Sequence, residues 1–208
     1  SVADTGKSSS ANITVYLPGV YTYHNNLARD GTNTQENILI PVNVNVNTFG
    51  KLFSCPVDGT VYAQPLWVPS FSIGEGIHNV IFAATEHDSI YAFDADSSPC
   101  VQLWRADLLD SSHGGTEGEI PVPSADVGCG GCGQAAILPE IGVTGTPVID
   151  PASNTLYVVS KSEGPPGTFH QRLHALDLAT GDEKISGSVD ITASVSGTGD
   201  GSSGGSVS

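Results

Sequence analysis

The chain has 208 residues, with 22 acidic and only 7 basic side chains and a formal charge of −15. Gripping nucleic-acid phosphates takes clustered cations, so nucleic acid is not an expected partner, and an anionic membrane surface is disfavoured for the same reason. No apolar run approaches the roughly 18 residues of a membrane-spanning helix; the length fits one large all-β domain or two small ones, and a mean hydropathy of −0.01 is that of a globular protein.

In chain order, Ser1-Val-Ala-Asp-Thr-Gly-Lys-Ser-Ser-Ser10 reads as a flexible mature terminus left after processing, and residues 1–20 as a flexible or extended lead segment. Asn12-Ile13-Thr14 is a single glycosylation sequon. Two apolar patches, residues 13–17 and 20–23, are split by the turn dipeptide Pro18-Gly19. Residues 24–36 are polar and read as a loop. Val42-Asn-Val-Asn-Val-Asn47 alternates as a half-buried strand would, though asparagine is a poor strand former. Lys51-Leu-Phe-Ser-Cys55 is the better short strand.

The stretch from residue 80 to 104 is the clearest piece. Residues 80–85, 90–93 and 101–104 are β-prone runs separated by the polar breaks Glu86-His87-Asp88-Ser89 and residues 94–99, which describes an antiparallel meander. Its pattern recurs. Gln64-Pro-Leu-Trp-Val-Pro69 has a counterpart in Thr146-Pro-Val-Ile-Asp-Pro151, Ile81-Phe-Ala-Ala84 in Leu156-Tyr-Val-Val159, and Tyr91-Ala-Phe-Asp-Ala95 in His174-Ala-Leu-Asp-Leu178. Order is kept and only loop lengths vary, the mark of a repeated supersecondary unit. Strands this short cannot bury a face alone, so the two units are expected side by side. Gly181 suits a left-handed position closing the last turn of the second unit. Residues 103–110 and 172–179 have some helical spacing, but both fall on strand positions of the repeat. Between the units, residues 106–142 read as one long Gly/Ser/Pro-rich loop, and residues 192–208 as a Gly/Ser-rich tail or loop.

Four cysteines, Cys55, Cys100, Cys129 and Cys132, lie outside any zinc-site spacing and favour disulfides and an oxidising compartment: secreted, periplasmic or cell-surface. Three pairings are open. The preferred one closes a small loop with Cys129–Cys132 and ties two strand regions with Cys55–Cys100.

Among polar clusters, Glu86, His87 and Asp88 sit on one hairpin turn, where they are weak candidates to bind a cation or substrate; a solvated turn is the plainer reading. His113 with Glu117 and Glu119 is a second metal candidate, with nothing to fix its geometry. His170 and His174 return to the same strand face but about 13 Å apart. Trp67 and Trp104 are expected as core anchors between units. Spacing supports no Ser-His-Asp set and no paired catalytic carboxylates.

With those residues in view, the repeat resembles the pyrroloquinoline-quinone-type (PQQ-like) β-propeller repeat, whose unit runs from a strand into Ala-x-Asp-x-x-Thr-Gly and on to Leu-Trp. Ala92-Phe-Asp94-Ala-Asp-Ser97 followed by Leu103-Trp104 fits, with Ser-Ser-Pro in place of Thr-Gly; Ala175-Leu-Asp177-Leu-Ala-Thr180-Gly181 fits closely but lacks the tryptophan. Tyr23-His-Asn-Asn-Leu-Ala-Arg-Asp-Gly31 and residues 43–53 are similar to the family's lead-in to its ring-closing strand. The resemblance spans roughly residues 21–189 and implies antiparallel four-stranded blades, here an incomplete ring over residues 21–191, whose remaining blades come from another segment or chain. It also implies an alternative as a fragment of a PQQ-dependent dehydrogenase, with quinone beside calcium, an Asp base, Glu and Asn calcium ligands, a stacking Trp and an adjacent cysteine pair. Cys129 and Cys132 fall near that pair but are separated by two glycines, and no acid matches the base or calcium positions. The preferred reading is therefore an extracytoplasmic binding or scaffold protein without its own catalysis and with a protein or carbohydrate partner. A structural subunit of a surface assembly is the third.

Overall fold

The computed structural model describes residues 19–34, 36, 38–127, 137–199 and 202–207. Among these the regular structure is antiparallel β, with only three short 3₁₀ turns. Strands β1 (Leu66–Ile73), β2 (Gly76–Ala84), β3 (Ser89–Asp94) and β4 (Val101–Asp107) form one sheet in sequence order. The strand between polar turns predicted at residues 90–93 is β3, buried at every position because it has a neighbour on both sides and is covered on both faces.

The second sheet is built on a long hairpin. Strands β5 (Ile120–Pro123) and β6 (Glu140–Ile141) come before β7 (Val148–Asp150), β8 (Thr155–Gly164), β9 (Thr168–Asp177) and β10 (Val189–Asp190). One end of β8 pairs with β7 and the other with β5, while β9 runs along its opposite edge and β10 pairs with β9. Thus residues 106–142 are not one long loop: β4 extends to Asp107, and β5 adds to the free end of β8. The tail contains a small hairpin, β11 (Val195–Ser196) with β12 (Ser206–Val207). Residues 51–55 form no strand and residues 42–47 are turns, since asparagine side chains bond back to nearby backbone there (Asn45 Nδ2 to Val42 O, 2.8 Å).

The repeat is visible in the registers. In the first sheet Leu66, Phe82, Ala92 and Trp104 are cross-strand neighbours in one row. Their repeat counterparts Val148, Tyr157 and Ala175 form the same row in the second. One apolar cluster joins both sheets, with Leu66, Phe82, Ile90, Ala92 and Leu108 from one side and Ile149, Leu156, Val158, Leu176 and Leu178 from the other. Each of these leucine, isoleucine, valine and phenylalanine side chains stabilises by roughly 1.5–3 kcal/mol on full burial, and neither sheet has that cover alone. At the seam, Trp104 Nε1 donates to Leu178 O (3.0 Å) and its ring lies over Gly181, whose φ is +80°.

Two further segments fasten the sheets. Val20 pairs with Trp67 of β1, and Tyr21 O accepts from Ile149 N of β7 (2.8 Å), so residues 20–21 stitch the first strands of the two units together. Residues 55–60 lie against the first sheet. Cys55 is disulfide-bonded to Cys100, as expected, and Thr60 O accepts from Glu86 N (2.8 Å). Cys129 and Cys132 lie outside the described residues. The described strands do not close a ring.

Candidate functional site

The turn joining β2 to β3 is held by its own side chains. Thr85 N donates to Ser89 O (3.0 Å), and Thr85 Oγ1 accepts from His87 N (3.2 Å). Asp58 accepts from Thr85 Oγ1 (3.0 Å), Ser89 Oγ (2.7 Å) and Arg105 Nη2 (2.8 Å). Burial opposes ionisation of Asp58, but these donors outweigh it and hold the carboxyl below its usual range.

This is not a solvated turn. Glu86 and Asp88 are fully buried, because residues 142–144, leading into β7, fold over them. Glu86 Oε2 accepts from Gly142 N (2.9 Å) and Thr144 Oγ1 (2.9 Å), leaving Oε1 without a partner. Gly142 sits so close that a Cβ there would stand 2.8 Å from Asp88 Cγ. Neither Asp88 oxygen closes a hydrogen bond of good geometry. Burial pushes its carboxyl up to about 8, the Lys161 backbone N–H offsets part of that, and the charges of Glu86, Asp107 and Glu119 add to it. His87 turns away to Glu140 (Nδ1 to Oε1, 2.8 Å). The three residues of the sequence cluster therefore do not converge on one point, and no group of three or more His, Cys, Asp and Glu side chains suited to a metal occurs among the described residues.

The other sequence candidates are dispersed. His113 bonds Gly181 O through Nε2 (3.0 Å), whereas Glu119 is in a buried ion pair with Arg172 that Ser162 joins, so the two do not share a site. Burial works against the Glu119 charge, but hydrogen bonds from Arg172, Ser162 and the Thr116 amide hold it down at about 2. His170 faces Asp190 (3.6 Å).

His174 makes a contact that spacing did not reveal. Its Nε2 is 2.8 Å from Ser160 Oγ and its Nδ1 2.6 Å from Glu183 Oε1, a serine–histidine–acid relay. Ser160 is only 2% exposed and faces the other sheet, so no substrate reaches the hydroxyl. The relay satisfies buried polar groups across β8 and β9.

An open cleft of about 450 Å³ lies beside this region, lined by Tyr23, Arg29, Tyr62, Thr144, Gly145 and Thr146. Two of its walls are repeat-equivalent, since Tyr62 and Thr144 each stand two residues before the matched positions Gln64 and Thr146. Gln64 N donates to Thr146 Oγ1 (2.9 Å), locking those walls together, and Gln64 Oε1 accepts from His24 N (3.0 Å), which fixes the third. Thr144 is held from behind by Glu86. Tyr23 and Tyr62 remain about half exposed at the cleft.

The set implied by the PQQ-like resemblance does not assemble among these residues. Trp104 is committed to the seam rather than to a cofactor, and the buried acids Glu86 and Glu119 bind backbone, hydroxyl or guanidinium groups of the fold. No family model matches this chain, and neither a curated protein nor a solved structure matches it. What stands is the class: an all-β protein of antiparallel sheets carrying a disulfide that favours an oxidising environment. No helix among the described residues is long and apolar enough to cross a membrane.

Proposed function

We propose that this chain is a β-propeller-type binding module of an extracytoplasmic compartment, taking a carbohydrate in the cleft at the head of β1 and β7 and carrying no catalysis of its own. The observation that carries the reading is the cleft itself: about 450 Å³, walled by two exposed tyrosines and by backbone held rigid from behind. That volume is within the range of small-molecule sites. Tyrosine offers an apolar ring with a polar tip, which suits the mixed faces of a sugar ring.

The blade assignment is supported by the row comparison. Leu66, Phe82 and Ala92 are 1%, 2% and 0% exposed because the second sheet covers them, whereas of their counterparts Val148 and Tyr157 are 42% and 37% exposed and only Ala175 is buried, at 7%. A head-to-tail stack leaves such a face for a further unit of the same kind. Val148 and Tyr157, with Leu173, also line a groove of about 220 Å³ on that face.

Titrating a panel of oligosaccharides into the folded chain by calorimetry tests the reading. Binding that Tyr62→Ala abolishes without lowering the melting temperature is the expected result. No binding at millimolar ligand, or a quinone absorbance band with dye-linked alcohol oxidation, would overturn it.

A further inference from the structure

We infer that the cleft selects a carboxylate-bearing sugar, a uronic-acid oligosaccharide, through Arg29; this rests on the carbohydrate reading above. The chain has three arginines in a background of 22 acidic residues. Arg105 is paired with Asp58 (2.8 Å) and Asp107 (3.2 Å), and Arg172 with Glu119 and Asp190. Arg29, the one that lines the cleft, has no carboxylate partner among the described residues. In so acidic a protein, an arginine kept clear of acids at the mouth of a cavity is a feature that needs a reason.

The loop is built to hold it there. Arg29 Nη1 donates to Thr22 Oγ1 (2.5 Å) and Tyr23 O (2.7 Å), which fixes one edge of the guanidinium plane. The backbone is held in turn, with Arg29 O bonded to His24 Nδ1 (2.9 Å) and His24 O accepting from Gly31 N (3.2 Å). His24, Asn25 and Arg29 all sit at positive φ (54°, 71° and 58°), a conformation that persists only where the surroundings impose it. The adjacent acid, Asp30, is turned away, accepting from Asn26 Nδ2 (2.6 Å) and Thr32 N (2.9 Å). A guanidinium anchored through one nitrogen keeps its other N–H groups for a planar oxyanion, the geometry in which arginine grips a carboxylate. Tyr23 and Tyr62 flank the same space, so a charged group attached to a sugar ring meets both features at once.

Calorimetric titration of the folded chain with tri-galacturonate, with its fully methyl-esterified form and with a tripeptide bearing a free C-terminus separates the claims. The acid sugar is expected to bind at least about tenfold more tightly than its ester, a ratio in the range of one charge-assisted hydrogen bond. That ratio should shrink as salt rises. Arg29→Gln should bring the ratio close to one, whatever its effect on ester binding, and Arg29→Lys should restore only part of it. Equal binding of acid and ester by the wild-type chain, which needs no variant to fold, overturns the inference and leaves the carbohydrate reading standing. Tighter binding of the tripeptide than of the uronate overturns it in favour of a chain-end ligand, and no binding of either sugar removes both readings.

Discussion

Asp88 occupies a left-handed turn position (φ +53°), which the hairpin demands and which aspartate and asparagine tolerate better than most residues. Its carboxyl is buried by the residues leading into β7, and burial moves its titration up to about 8. An unfolded aspartate loses its proton near 3.9. The native state therefore holds more protons between those two values, and stability falls as pH rises from about 4 to about 8. Asp88→Asn keeps the turn and has no charge to bury, so it should stabilise the chain at pH 7 by about 1–3 kcal/mol and flatten that decline; urea titrations from pH 4 to 9 read both effects. Glu119 has the opposite sign. Its folded carboxyl titrates at about 2, below the roughly 4.3 of an unfolded glutamate, so its contribution is full above the unfolded value and is lost as pH falls toward 2. Glu119→Gln leaves Arg172 buried with only the half-exposed Asp190 as an acid partner and should cost about 3–5 kcal/mol at neutral pH, measured by chemical denaturation.

At the scale of elements, the seam between the sheets depends on one tryptophan and one glycine. A Cβ on Gly181 would stand 2.8 Å from the Trp104 ring, and the position is left-handed as well. Gly181→Ala should cost about 1–2 kcal/mol from the backbone alone and more from displacing the ring, so a lower melting temperature should come with a red-shifted tryptophan emission. The Cys55–Cys100 disulfide spans 45 residues and fastens an irregular segment that no strand pairing holds. Cys100→Ser is expected to lower stability by about 2–4 kcal/mol, read as an earlier urea midpoint.

For the whole molecule, one apolar cluster joins the two sheets, and the equivalent rows make the proposed blade stacking testable. Phe82→Lys places a charge in the covered row and should unfold the chain. Tyr157→Lys, at the matching position of the second sheet, should change stability by less than about 0.5 kcal/mol, because the Tyr157 side chain is exposed there. Comparable losses in circular-dichroism melts of the two variants would show that both rows are packed alike and would overturn this.

The sequence by itself determined the meander over residues 80–104 and the recurrence of its pattern near residues 146–178, because alternation, short turns and β-branched runs are local properties. It also pointed to the Cys55–Cys100 link and identified the turn residue Gly181. Its failures were at residues 51–55, where an apolar pattern found no partner strand, and at residues 106–142, where β5 is ordered only by pairing with β8. Tertiary structure alone decided which polar groups are buried. Glu86 and Asp88 read as a solvated turn until residues 142–144 closed over them. The Ser160–His174–Glu183 relay exists because β8 and β9 bring Ser160 and His174 to one face and the segment after β9 folds back to place Glu183 beside them. The cleft arises where three loops meet, and the partner that covers a side chain is not written in its neighbours along the chain.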